Sequence, residues 1–393
     1  MSRLLLFLFT FLITGPAAAD LAVESDFPGG SAEVVSIDQA ASAVVLNPAN
    51  YPDRGWRCWW YFRLTGITPG KAITLEVGDA PWATPKRATF SSDGGKTWHH
   101  SEEGTRVGKR IRYSLTFDTE TALVAWGPPF LPDDARALVE ALAAGSEEAT
   151  VFSLCRTREG HDTPALRIGT AGKPLIWVQA RQHAWESGAS WVGKGFAEWV
   201  VSDALEASGL RERHEIVFVP VMDIDNAHRG AGGKSQKPQD HNRDWSDAPH
   251  WNAVAAAQKA IRAAAGQERL AMFIDLHNPG AGDLFPYFYV PPAEILSDGA
   301  VSNHARFIEA AKTEITGPLR FTGRIIESGV KYDPRAWKTI SKNWVALLGT
   351  PAVSVTLETS WNTPVSTTAG YETVGRQLGL AISRYAHQRS ELP

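Results

Sequence analysis

Met272-Phe273-Ile274-Asp275-Leu276-His277 decides the reading of this chain. Four apolar residues around one aspartate predict a fully buried strand, and Asn278-Pro279-Gly280 stops it sharply. A histidine at the end of a buried strand is costly unless its ring is bonded or bound to something. Asp275, two residues back, shares its side of the strand. It can orient the ring as a supporting carboxylate, or serve as half of an ordinary buried ion pair.

The same pattern recurs outward from there. Residues 175–180 (LIWVQA) and 215–220 read as strands, and 352–357 reads as a strand ending at Glu358. Trp191, Val192, Phe196, Trp199, Val200 and Leu205 recur at helical spacing, 253–265 is an Ala-rich helix, and 374–387 closes the chain as a helix. Strands alternating with helices predict an α/β fold, a mixed β-sheet flanked by helices. Ligands in such folds gather beyond the carboxyl ends of strands, where His183, His277 and Glu358 all fall. Residues 20–147 differ in texture. Short β-type runs at 58–62 and 72–77 are punctuated by turn signals at 68–70, 92–95 and 126–129, which predicts a preceding antiparallel β-sandwich domain. The organisation expected is a signal peptide over 1–19, the sandwich over 20–147 and a catalytic domain over 148–393.

The signal rests on Arg3, an apolar run over 4–13 and Ala17-Ala18-Ala19 as the cleavage site; it implies a secreted or periplasmic protein. No later run of eighteen apolar residues follows, so no stable membrane insertion is expected after signal removal. With 393 residues, 44% hydrophobic and 21% charged, the chain holds enough apolar material for two globular cores. A net charge of −4 excludes the basic field of a nucleic-acid binder. Cys58 and Cys155 are the only cysteines. Export permits a disulfide between them, two thiols fit equally, and without a C-x-x-C pair cysteine-ligated zinc is not expected.

His183-Ala184-Trp185-Glu186 is an H-x-x-E motif whose two side chains converge if the segment enters a helical turn. Imidazole plus carboxylate suits zinc, and a catalytic zinc takes three protein ligands and keeps one position open. Alone the motif occurs often by chance; His277, at the end of a buried strand, raises the odds as a candidate third ligand. Glu358, after an apolar strand, must be paired, protonated or employed, and burial raises a carboxyl toward the range of a neutral-pH general base. Arg229 and Asn242-Arg243 bring donors for carboxylates or for a developing oxyanion. The loop 230–244 contains Gly233-Lys234-Ser235, similar to the end of a phosphate-binding loop, but the first glycine of that motif would fall on His228, so the match is discarded.

In order, RQHAWESGASW (181–191), HRG (228–230), DHNRDW (240–245), FIDLHNPG (273–280) and TLETSW (356–361) resemble the zinc carboxypeptidase family, in particular the cytosolic carboxypeptidases and their bacterial relatives. FSSDGGKTW and VAWGPPFLP resemble the β-rich domain of that branch. The resemblance implies one Zn2+ held by His183, Glu186 and His277, Glu358 as general base and acid, and Arg229 polarising the scissile carbonyl. It also implies Asn242 and Arg243 holding the terminal carboxylate of a peptide substrate, and Tyr332 capping it. Ala184-Trp185 stand where the branch usually has Pro-Gly, and 223–226 (DIDN) where it usually has Asn-Pro-Asp-Gly, both beside the substrate path. Lys331, Lys338 and Lys342 precede Glu358; turned inward they would favour an acidic C-terminal residue, although most lysines are exposed. Two rivals stand beside this reading. One is a zinc amidohydrolase acting on N-acyl amino acids. The other is a glycan-binding or sialidase-like protein, suggested by an Asp-box-like turn over 91–98 that a propeller would repeat and this chain does not.

Overall fold

The computed structural model describes residues 19–78, 80 and 82–390. The signal read over 1–19 lies outside the described residues except for Ala19. Among the described residues no helix is long and apolar enough to cross a membrane.

The larger domain is built on an eight-stranded mixed sheet. Its centre is four parallel neighbours in the order Glu215–Val219, Leu175–Ala180, Leu270–His277 and Val353–Glu358. The last three are buried along their whole length, which explains their mainly apolar sequences. Antiparallel strands extend the sheet on both sides. One face packs against helices Pro132–Ala144, Ser187–Val200, Leu205–Arg213, Asp298–Glu314 and Thr368–Ser390. The other is covered by helices Asn252–Gly266 and Ser341–Ala346, with Trp245 and Trp251. The helical spacing read through Leu205 covers two helices, because the chain breaks after Val200 and restarts at Leu205.

The N-terminal domain is a sandwich of two five-stranded sheets around a core rich in Trp, Tyr and Phe. One pair departs from the antiparallel expectation: Ala43–Asn47 runs parallel to Ile73–Val77. The Asp-box-like segment is a hairpin turn of this sandwich rather than a propeller element. Asp93 accepts hydrogen bonds from the backbone N–H groups of Lys96 and Thr97, both at 3.0 Å.

Helix Pro132–Ala144, which the boundary at 147 assigns to the first domain, sends Ala135, Leu138 and Val139 into the core of the second. In return Trp185 and Trp361 of the larger domain are buried in the core of the sandwich. The two domains therefore share their cores. No disulfide contributes: Cys58 and Cys155 are both free thiols, Cys58 buried in the sandwich and Cys155 in the strand Ala149–Arg156, 3.6 Å from the Thr163 hydroxyl.

Helices Ser187–Val200 and Thr368–Ser390 pack most closely through glycines. A Cβ on Gly375 would meet the Val192 carbonyl at 1.9 Å, and one on Gly195 the Glu372 carbonyl at 2.1 Å. Because the first helix starts directly after Glu186, this contact also fixes the site. Gly375→Ala is expected to cost about 2 kcal/mol and lower the melting temperature by several degrees. Gly266→Ala, whose Cβ meets nothing within 4 Å, should shift it little. Thermal unfolding of both variants checks the difference.

Candidate active site

At the carboxyl ends of the central strands, three buried side chains converge. His183 lies three residues beyond the strand Leu175–Ala180, Glu186 precedes the helix Ser187–Val200, and His277 closes the strand Leu270–His277. The turn carrying His183 and Glu186 is held by Arg181, itself buried at a positive φ of 66°. Its guanidinium donates to the Ala184 carbonyl at 2.6 and 2.8 Å and to the Phe130 carbonyl. Glu186 sits between the rings, one oxygen 2.8 Å from His183 Nδ1 and the other 2.7 Å from His277 Nδ1.

The outward nitrogens are backed by carboxylates. Asp240 lies 3.4 Å from His183 Nε2 and Asp275 lies 3.1 Å from His277 Nε2. Asp275 is itself fixed by the Ser341 hydroxyl at 2.6 Å and by the side-chain amide of Gln182. Two imidazoles with their Nδ1 atoms turned inward, one carboxylate between them and an acidic partner behind each ring fit a zinc ion. The three ligand atoms lie within 4.8 Å of one another. Burial alone would raise the Glu186 carboxyl; the two imidazoles outweigh it and hold it at about 2. A second acidic and histidine grouping, Glu159, His161 and Asp225, is less suited to a metal, because Glu159 already pairs with Arg54 at 2.5 Å and Arg229 at 2.6 Å.

Glu358 stands beside His277 in register on the neighbouring parallel strand. It is buried, one of its oxygens has no hydrogen-bond partner, and it lines the same cavity as the three ligands. Burial, with the Glu186 charge nearby, raises it to about 8. An orphaned carboxyl kept at a cavity wall is a proton acceptor in waiting.

Asn242 and Arg243 also line the cavity. Asn242 accepts from Ser341 N–H at 3.1 Å, and Arg243 is anchored to Asp333 at 3.0 Å. Tyr332 lines it as well, partly exposed, with its ring 5.1 Å from Tyr289. Arg229 does not reach the site. It ends the short helix Ile224–Arg229, exposed and held by its ion pair with Glu159; Gly230 follows in a left-handed conformation that terminates the helix. The cation that faces the cavity beside His183 is Lys234, its Nζ 3.4 Å from His183 Nε2 and 4.0 Å from Asp240. Of the three lysines before Glu358, Lys331 and Lys338 are exposed, whereas Lys342 is buried and lines the cavity. Lys342 has no ion-pair partner among the described residues and lies 5.3 Å from the Tyr289 ring. Burial and the neighbouring Arg243 charge push it down to about 7.

Sequence reasoning missed Lys234, Asp240 as a supporting carboxylate, Tyr287, Tyr289 and the tryptophans Trp56, Trp82 and Trp361 on the cavity wall. Asp240 lies two residues before Asn242 in DHNRDW (240–245), so its position carried a signal. Lys234 stands in the loop 230–244 and Trp361 ends TLETSW, so both lay in stretches already singled out, whereas Trp56, Trp82, Tyr287 and Tyr289 come from other segments.

Residues 136–363 match the family model described as zinc carboxypeptidase, and residues 23–126 match that of the cytosolic carboxypeptidase N-terminal domain. Mouse cytosolic carboxypeptidase 1 is 23% identical over 283 residues, covering 59% of this chain and 23% of that protein. An uncharacterized protein of Zymomonas mobilis is 26% identical over 234 residues, covering 58% of this chain and 60% of its own. The chain thus spans less than two thirds of the length of these curated relatives. Among solved structures, the metallo-carboxypeptidase of Burkholderia cenocepacia superposes with a TM-score of 0.80 at 24% identity, covering 94% of this chain and 100% of its own. The metallo-carboxypeptidase of Pseudomonas aeruginosa, solved with (2-guanidinoethylmercapto)succinic acid, gives 0.77 at 19% identity, covering 93% and 99%.

Two outcomes are expected from this geometry. Asp275→Asn should weaken zinc binding about 10- to 100-fold, read by competition with a chelating dye. Because Glu358 is raised in the folded state, its ionisation opposes folding; its contribution is most favourable below the ordinary glutamate range and is lost as pH rises toward about 8. In metal-free protein, Glu358→Gln should therefore melt progressively higher relative to wild type between pH 5 and 9.

Proposed function

The chain belongs to the zinc carboxypeptidase family, and from that premise we propose that it is an exported, zinc-dependent carboxypeptidase that removes an acidic residue from the C-terminus of peptides. The observation that carries the acidic preference is Lys342, a buried lysine without an acidic partner in the cavity that Glu358 and the three ligands share. Burying such a charge unpaired is costly, and a substrate side-chain carboxylate would restore both its charge and its pairing. Export fits the charged start, apolar run and small-residue site over 1–19.

A zinc ion held by His183, Glu186 and His277 would supply an acidified water and a Lewis acid for the scissile carbonyl. Glu358 takes a proton from the attacking water, its raised affinity for that proton suiting the task near neutral pH. Negative charge grows on the carbonyl oxygen as the water adds, and the Lys234 ammonium is the cavity cation placed beside His183 to offset it. Glu358 then passes the proton to the amine nitrogen as the C–N bond breaks. Arg243 and Asn242 hold the terminal carboxylate, so the cut falls one residue from the end. Tyr332 and Tyr289 stand at the same cavity and narrow it over the bound residue. Asp240 and Asp275 keep both imidazoles in orientation throughout.

The test is a digest of peptides that differ only in their last residue. Zinc-loaded wild type is expected to release Glu faster than Phe or Lys, and Glu358→Gln to abolish release. Lys342→Met should lower kcat/KM for the Glu peptide tenfold or more, about 1.4 kcal/mol, with a smaller effect on the Phe peptide. Preference for Lys or Phe in the wild type overturns the acidic assignment.

A further inference from the structure

The cavity that holds the zinc ligands has a second group of lining residues whose chemistry the reading above leaves unused: Trp56, Trp82, Trp185 and Trp361. Two of them come from the sandwich domain. Trp82 is 54% exposed, which is unusual for so large an apolar side chain. It stands edge-on to Trp56 with ring centroids 4.5 Å apart, and Trp56 stacks over Trp185 at 6.2 Å, one residue before the ligand Glu186. Trp361 follows at 5.9 Å from Trp185.

This wall is held firmly. The Trp126 indole donates to the Ala83 carbonyl at 2.6 Å, and the Ala83 and Thr84 donors close back on the Ala80 carbonyl at 2.9 and 2.7 Å, which pins the segment beside Trp82. Trp56 N–H donates to the Lys234 carbonyl at 2.8 Å, tying the wall to the loop that carries the cavity cation. A single exposed apolar residue needs no explanation. A fixed pair of indoles continuous with a catalytic cavity does.

Resting on the carboxypeptidase reading, we infer that Trp56 and Trp82 form an upstream substrate subsite, supplied by the N-terminal domain, for an apolar or aromatic side chain preceding the C-terminal residue. The cations Arg243 and Lys342 take the last residue and its carboxylates, with Tyr289 and Tyr332 beside them, so the acyl part of the peptide lies along the remaining wall, where the four tryptophans are the largest side chains. Indole faces and edges favour flat or apolar partners, and a charged residue there would lose water without gaining an ion pair. The subsite also gives the sandwich a role in selection besides its packing role.

The test uses full-length zinc-loaded protein and two peptides that end in Glu and carry Phe or Gly just before it. Wild type should show a higher kcat/KM for the Phe peptide, and Trp82→Ala should lower the Phe-to-Gly ratio about five- to tenfold, with Trp82→Phe restoring most of it. Binding to Glu358→Gln, followed by calorimetry with and without Trp82→Ala, reads the same preference without turnover. If no peptide is cleaved but the Phe peptide still binds more tightly in a Trp82-dependent way, the catalytic reading falls and the subsite stands. A Phe-to-Gly ratio that Trp82→Ala leaves unchanged, in turnover and in binding, overturns the subsite.

Discussion

The fold's organisation follows from one burial constraint: the Glu186 carboxylate lies out of water between two imidazoles. An isolated buried carboxylate is strongly disfavoured, so the surrounding structure has to supply compensating groups in fixed places. His183 and His277 provide them from the ends of two adjacent parallel strands, and Asp240 and Asp275 compensate the histidines in turn. The register between Leu270–His277 and Val353–Glu358 then sets Glu358 beside His277 with no further adjustment. Close glycine contacts hold the helix that follows Glu186 against the helix Thr368–Ser390.

The two domains are parts of one site rather than neighbours. Trp185, adjacent to a zinc ligand, is core for the sandwich, and the loop that carries Lys234 is bonded to Trp56 and Arg54 of the first domain. Gly232 allows that approach, since a Cβ on it would lie 2.0 Å from the Trp56 carbonyl. The positions where Ala184-Trp185 replace the Pro-Gly usual in the branch therefore lie at the domain junction.

What the sequence discloses about this protein follows periodicity and strand ends. Mainly apolar runs disclose the central strands, and a polar residue at the end of such a run stands out because burial would otherwise be costly, which is why His277 and Glu358 are readable. The loop 230–244 has no period, so its path is not readable. Arg229, at the end of a short helix, is drawn into an ion pair with Glu159, while Lys234 enters the cavity five residues later. Helix Pro132–Ala144 lies next to the sandwich in sequence but packs on the other core. The tryptophan wall joins segments more than a hundred residues apart, and the turn chemistry and apolar runs that reveal each segment say nothing of their meeting.

Zinc-edge anomalous diffraction from crystals grown with one equivalent of zinc tests the central claim most directly. A single strong peak within bonding distance of His183 Nδ1, Glu186 and His277 Nδ1, with Glu358 facing it across the cavity, is the predicted result. No peak there, or the dominant peak at Glu159, His161 and Asp225 instead, would contradict it.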